Sequence, residues 1–337
     1  MKQGSPAGRP RIAGEAAVFD WALLVALIAL GSSSFTLIRA AIETIPPAFV
    51  SIGRLWIAAG ALYWMMRAKK RRFPPLVVKT ENGPRPHILW AWMGIIGLVG
   101  YAAPFLIFPW AQQYVESGLA GVYMAFMPIW TLGLAFLFAK EKLNAGKIIG
   151  FALGFIGVAI LLGPEATNGV ARSSMFAQLA LLLATLLYAA SAVMSRMAPA
   201  MRPRTFATGI VLAGAVFVTP SLLFTPLSSG EWSVQSIIAV IFLGLGPTAL
   251  AGVIIITIIR RVGASFMALA NYFVPVCAVI AGAVFFSERL DPTVFLALGV
   301  ILTGVAVSQR KSRPIIEAGD ALAADIEPVA ERDRAEV

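Results

Sequence analysis

Histidine and cysteine are almost missing from this chain. His87 and Cys277 are the single examples of each among 337 residues. One cysteine excludes an intrachain disulfide, and neither residue occurs in the grouped spacing of a zinc site. No HExxH segment is present, and no Walker-type glycine loop ending in Lys-Ser or Lys-Thr. Metalloprotease chemistry and P-loop nucleotide use therefore have no motif to rest on, and no metal or cofactor is expected. Charge is scarce as well. Asp, Glu, Lys and Arg make up 13% of the chain, against about 25% in soluble domains. Acids are the scarcer sign, with 17 against 27 basic residues. None falls in the middle of a long apolar run, where a proton relay would sit.

What is plentiful is apolar. The chain is 59% hydrophobic with a mean hydropathy of +0.83. That composition reads as an all-α integral membrane protein, since about 20 apolar residues cross a bilayer core. Ten segments qualify: Trp21–Ile38, Ala48–Met66, Ile88–Trp110, Ser117–Ala139, Ala145–Leu162, Met175–Met197, Phe206–Phe224, Ser236–Ile259, Ala264–Phe286 and Val294–Ser308. No ten-residue alternation of apolar and polar positions appears, so a lipid-facing barrel is excluded.

The net charge of +10 does not mark a nucleic-acid partner. Its lysines and arginines cluster in alternate short connections, around Arg67–Arg72, Lys140–Lys147, Arg196–Arg204 and Arg260–Arg261, and at both ends of the chain. Only Arg39, Arg172 and Arg289 sit in the other set of loops. Cytoplasmic loops carry this excess, so both termini are expected in the cytoplasm of a cell whose inner membrane holds the protein. The basic connection Arg67–His87 reads as a cytoplasmic loop. The tail, rich in Glu, Asp and Ala, reads as disordered.

The chain also repeats itself. Shifting Ser117–Leu143 by 147 residues lays Phe126 on Phe273, Pro128 on Pro275, Glu141 on Glu288 and Leu143 on Leu290. The same shift lays Gly97-Leu98 on Gly244-Leu245 and Gly157-Val158-Ala159 on Gly304-Val305-Ala306. Ten helices in two copies gives five each. Five is odd, so the copies insert upside down relative to one another, as inverted repeats that hold cargo at their seam. The expected divisions are an N-terminal segment 1–20, a first repeat 21–163, a connection 164–174, a second repeat 175–310 and a tail 311–337.

At IPPAFVSIGRLWIAAGALYW, WAQQYVESGLAGVYMAFMPIWTLGLAFLFAKEKLNAGKIIGFALGFIGVAILL and LGLGPTALAGVIIITIIRRVGASFMALANYFVPVCAVIAGAVFFSERLDPTVFLALGVILTGVAV, the chain resembles the EamA-type, ten-helix branch of the drug/metabolite transporter superfamily. It departs from that pattern at Leu30-Gly31, where a Trp-Gly pair is usual, and at Lys140-Glu141-Lys142-Leu143, where Gly-Glu-Arg-Leu is usual. The resemblance implies a multipass carrier for small metabolites, often an exporter of amino acids or related compounds. A channel-like facilitator and a membrane-embedded enzyme are the alternatives. The duplicated layout argues against a channel, and the lack of a catalytic cluster argues against an enzyme. The scarcity of acids within spans points to facilitated or weakly coupled transport rather than carboxylate-based proton antiport. The expected partners are a small-molecule substrate and the lipid bilayer. Neither a monomer nor a homodimer is favoured.

Several residues are candidates for the substrate path. An arginine within a span costs at least about 2.5 kcal/mol at mid-depth unless it snorkels or faces water. Arg54 is therefore either an anion-binding or gating group, or a snorkelling side chain. Asn271 and Tyr272 stand near mid-depth beside Pro275, whose missing amide frees a carbonyl; they read as a neutral binding site or as helix–helix contacts. Tyr101, Tyr123, Trp130 and Tyr188 could line an aromatic wall or simply pack. Ser33, within the triple Ser32-Ser33-Ser34, faces a cavity or permits close packing. Pro128 and Pro275 are expected to kink the duplicated helices. Glu141 and Glu288 are expected to fix the turns at the ends of those helices. Gly150, Gly154 and Gly157 have the spacing of a close-packed face. As a test of the inverted layout, cysteines placed at Asn82 and at Ser229 are expected to react with an impermeant thiol reagent from opposite sides of the membrane.

Overall fold

The computed structural model describes residues 17–80, 83–139, 144–168, 172–226 and 231–309. Glu141 and the tail lie outside them. The described residues form ten membrane helices: α1 Val18–Ile42, α2 Pro47–Ala68, α3 Ile88–Ala111, α4 in two pieces (Ser117–Met124 and Met127–Ala139), α5 Ala145–Asn168, α6 Arg172–Met197, α7 Pro203–Val218 with a 3-10 extension Thr219–Phe224, α8 Val234–Val262, α9 in two pieces (Ala264–Met267 and Ala270–Phe286) and α10 Pro292–Gln309. Nine have the length and hydropathy of full spans. The long piece of α9 is shorter, with 17 residues, because a turn at Ala268-Leu269 interrupts the expected run. Large apolar side chains such as Val25, Trp64, Leu137, Phe242 and Phe285 point outward, as lipid-facing groups do.

Local chemistry places the helix ends. Prolines open α2, α7 and α10, where a missing amide proton is not needed. Gly263, at φ 96°, closes α8 in the left-handed region that glycine tolerates. His87 opens α3, its Nδ1 accepting from the Leu89 amide at 3.3 Å. The connection expected over 164–174 is mostly helical, because α5 runs to Asn168 and α6 starts at Arg172. The connection between α2 and α3 is not a plain loop. It carries a hairpin, β1 Val77–Thr80 antiparallel to β2 Gly83–Pro86, with Val77 opposite Pro86. In the sequence, an Asn followed by Gly83 between β-prone residues was the signal for it; Gly83 opens β2 opposite Thr80 at φ 99°.

The two repeats interlock. Helix α5 packs on α10, α4 on α9, and α2 on α7; α1 lies on α9 as α6 lies on α4, and α2 meets α8 as α7 meets α3. Each of these pairings joins one repeat to the other, and each maps either onto itself or onto its mate. The closest seam is α5–α10. A Cβ on Gly150 would stand 2.4 Å from the Gly304 carbonyl, and one on Gly157 would stand 3.1 Å from the Ala297 carbonyl. The 147-residue shift turns the first contact into the second, so a single approach is used twice about one pseudo-twofold axis. Gly154 instead faces Phe126 and Ile129 of α4.

Both α3 and α8 carry a π-helical stretch, at Leu98–Ala102 and Gly244–Leu250. These are corresponding places in the two copies. Such insertions recur at functional sites.

Gly150→Ala is expected to lower stability by about 1–3 kcal/mol, the usual scale of overpacking. Thermal melting of the purified protein in detergent checks this, with Gly60→Ala, where a Cβ meets nothing within 4 Å, as the control.

Candidate functional site

A proline in α8 sets up the site. Pro247 has no amide proton, so the Leu243 carbonyl one turn earlier has no α-helical partner, and the helix widens there to the π pattern, in which residue 248 comes opposite that carbonyl. The Thr248 hydroxyl adds a further bond, donating to Leu243 O at 2.8 Å. Its hydrogen committed, the hydroxyl oxygen offers a lone pair across the seam, and Arg54 Nε donates to it at 2.8 Å. Arg54 lies about 10 Å into α2 at 1.5 Å per residue, and Thr248 lies at the middle of α8. The side chain does not snorkel. It is 7% exposed and held between repeats.

The guanidinium lies over the Phe105 ring, 4.2 Å from its centroid, a favourable arrangement for a cation and a π face. Phe105 is fixed from below, because Ser51, one turn from Arg54, donates to the Phe105 carbonyl at 2.6 Å. The Tyr101 ring lies tilted at 5.4 Å from Phe105, and the Tyr188 ring lies edge-on to it at 6.3 Å. Both phenols stand within electrostatic reach of Arg54. Nε is occupied, yet neither terminal guanidinium nitrogen has a hydrogen-bond partner among the described residues, and neither is fully enclosed. Arginine presents five donors in a planar fork, so most of its donor capacity is open.

A cavity of about 280 Å³ leads to this cluster. Its wall begins at the basic ends of α2 and α7, with Lys69 and Arg204, and runs between apolar side chains including Leu62, Val211 and Ile256 to Thr248 and Tyr101. Arg54 stands behind those last two. The sequence candidates Arg54, Tyr101 and Tyr188 thus come together.

The other candidates lie elsewhere. Tyr123 is fully buried, and its hydroxyl donates to Gln178 Oε1, tying α4 to α6. Trp130 packs edge-on against Phe126 and Phe155, with its indole N–H buried and without a hydrogen-bond partner among the described residues. The Ser33 hydroxyl donates to Leu30 O of its own helix at 3.1 Å. Asn271 and Tyr272 are half-buried at the start of the long piece of α9 and have no side-chain hydrogen bond among the described residues. Pro128 sits at the start of the second piece of α4, just after the turn at Ala125-Phe126. Pro275 lies inside α9, six residues beyond its turn. Corresponding prolines therefore accompany the interruptions at different distances.

Glu288 reaches across the seam instead of bracing its own turn. Its carboxylate accepts from the Ser117 amide and hydroxyl at 2.8 and 2.7 Å and from the Gly118 amide at 2.9 Å. An acid from the second repeat thus caps α4 of the first, where free amides and the helix dipole favour negative charge. Nearby, burial and then the Glu288 charge push the Glu116 carboxyl above its ordinary range, while Arg39 pulls it down. Folding therefore favours protonated Glu116, and its contribution to stability falls as pH rises through the raised value.

Two features escaped the sequence reading. Thr248 is one. The other is Asp20, which belongs to α1 because the helix begins three residues before the apolar run. Asp20 is 1% exposed and pairs with Arg261 of α8 at 2.5 Å, a second contact between repeats. At the far end of the same helix pair, Ser236 donates to Ala40 O at 2.7 Å and the Ser233 amide donates to Thr44 Oγ1 at 3.0 Å.

Comparison with known proteins agrees with this architecture. A model of the EamA-like transporter family matches residues 20–163 and 175–309. The transporter YoaV of Bacillus subtilis is 26% identical over 288 residues, covering 82% of this chain and 95% of its own. The inner membrane transporter YedA of Escherichia coli K12 is 27% identical over 289 residues, covering 84% and 88%. A relative from Streptantibioticus cattleyicolor, named a probable terminal-alkyne amino-acid exporter, is 24% identical over 296 residues, covering 87% and 93%. A solved crystal structure shares the fold with a TM-score of 0.60 and 20% identity, over 87% of this chain and 98% of its own.

Thr248→Val removes both the acceptor for Arg54 and the donor for Leu243. A loss of about 1–3 kcal/mol is expected for the buried Arg54 Nε left unpaired, with Thr248→Ser close to wild type. Denaturation midpoints in detergent distinguish the two variants.

Proposed function

The chain belongs to the EamA-like transporter family, and from that premise we propose that it exports a small amphipathic metabolite by alternating access, with the cargo's anionic group held at Arg54. The protein is a multipass integral membrane transporter and not an enzyme. The observation that carries the finer reading is the buried guanidinium itself. It is fixed at one nitrogen across the repeat seam, and its remaining donors have no hydrogen-bond partner among the described residues. A charge held in a span with no carboxylate partner marks a substrate path.

Orientation supports export. The mouth of the cavity lies at the basic ends of the helices, beside Lys69 and Arg204. The excess of Lys and Arg there supports reading this as the cytoplasmic face. The described conformation then has its cavity open to the cell interior, as a carrier loading for export requires. An amino acid or a related compound is the cargo class that the name of the Streptantibioticus relative supports. No acid stands at the cavity among the described residues, which supports transport without a carboxylate proton relay.

Arg54→Gln is expected to cut export about tenfold or more, the scale of losing a hydrogen bond to a charged group at 1.5–3 kcal/mol. The measurement is metabolite release from cells making equal amounts of wild-type and variant protein. Release at the wild-type rate, with the variant still folded, removes Arg54 from the path.

A further inference from the structure

The charges around the cavity are all of one sign. Lys69 and Arg204 stand in its wall and Arg54 lies beyond its inner end, while no Asp or Glu lines it among the described residues. The acids whose side chains are described lie elsewhere. Asp20 is held by Arg261 and also accepts from the Ala17 amide at 3.1 Å. Glu116 and Glu288 gather at the opposite ends of the helices, around Ser117 and Gly118. Glu43, Glu231 and Asp291 lie beyond helix ends on that same opposite side.

The neutral polar groups lining the cavity are few. The Thr248 hydroxyl serves Leu243 and Arg54. The Thr208 hydroxyl donates to the Arg204 carbonyl at 2.8 Å, which leaves its lone pairs open. Those lone pairs and the Tyr101 phenol oxygen are neutral acceptors, and they do little to replace the hydration of an ammonium group. A cationic group entering this space would lose water and gain no counter-charge, which is strongly unfavourable away from water. The remaining wall is apolar and suits a hydrocarbon body.

We propose that the preferred cargo is a carboxylic acid with an aliphatic or aromatic body and no amino group, so that the site selects deaminated acids over the matching amino acids. This rests on the reading that Arg54 anchors the cargo, and it narrows the head group to a lone anion. Discrimination comes from what the cavity withholds as much as from what Arg54 supplies.

The test uses the full-length protein in proteoliposomes and three probes sharing one ring: 3-phenylpropanoate, phenylalanine and 2-phenylethylamine. Each is scored by the shift in thermal melting and by counterflow. Wild type is expected to respond to 3-phenylpropanoate at a concentration at least about tenfold lower than to phenylalanine, and not to the amine, because an unpaired buried charge is rejected by that margin or more. Arg54→Lys is expected to retain part of this order, and Arg54→Gln to lose the response. Phenylalanine acting as well as 3-phenylpropanoate, in a manner that still depends on Arg54, overturns the lone-anion proposal and leaves the anchor standing. Responses that persist unchanged in folded Arg54→Gln overturn the anchor as well. Should Arg54→Gln fail to fold, Lys69→Gln with Arg204→Gln replaces it. A loss of preference for the acid then supports the proposal, and an unchanged response to all three probes counts against it.

Discussion

A single guanidinium, buried in the membrane without a carboxylate beside it, is the constraint around which this structure is arranged. Arg54 is permanently charged, so the fold has to hold that charge or hydrate it. It does the first with Thr248 and the Phe105 face, and leaves room for the second along the cavity. The Thr248 hydroxyl is oriented by its bond to Leu243 O, in the π-helical turn that holds Pro247. The position of Phe105 depends on Ser51. A helix irregularity in one repeat and a serine in the other therefore converge on one side chain.

The same logic of cross-repeat contact recurs through the molecule. Glu288 of the second copy caps α4 of the first, Asp20 of the first holds Arg261 of the second, and Gly150 meets Gly304 back to back. These contacts are of two physical kinds. The glycine seam is steric and short-range, suited to a fixed axis. The polar clasps sit near the ends of the helices, where water can replace either partner, and are suited to making and breaking. A rigid α5–α10 spine with exchangeable contacts at both membrane faces is a physical basis for rocking about the axis.

Much of this was legible in the sequence. Apolar runs, the skew of basic residues and the constant shift between Pro128 and Pro275 gave ten helices and two copies of opposite sense. Arg54 was visible because a charge in an apolar run has few explanations. Tyr101 and Tyr188 were visible only as members of a longer set of aromatics. Tyr123 and Trp130 looked the same in sequence and proved to be packed, because the facing helix decides which side of a ring meets space. Thr248 had no local signal: its partner is 194 residues away, and threonine is ordinary in a membrane helix. Asp20 was lost for another reason. Hydropathy marks where apolar residues begin, whereas the helix begins where its first amides are capped, and here the acid itself accepts from the Ala17 amide.

Alternation about the seam is open to direct measurement by pulsed electron spin resonance on the full chain in lipid nanodiscs. One label pair replaces Lys69 and Arg204 at the cavity mouth, and a second replaces Gln113 and Arg289 at the other face. Excess 3-phenylpropanoate is expected to shorten the first distance and lengthen the second, in samples of matched lipid and pH. Distances that move together, or that both stay fixed while the probe is transported, would contradict a carrier that rocks around Arg54.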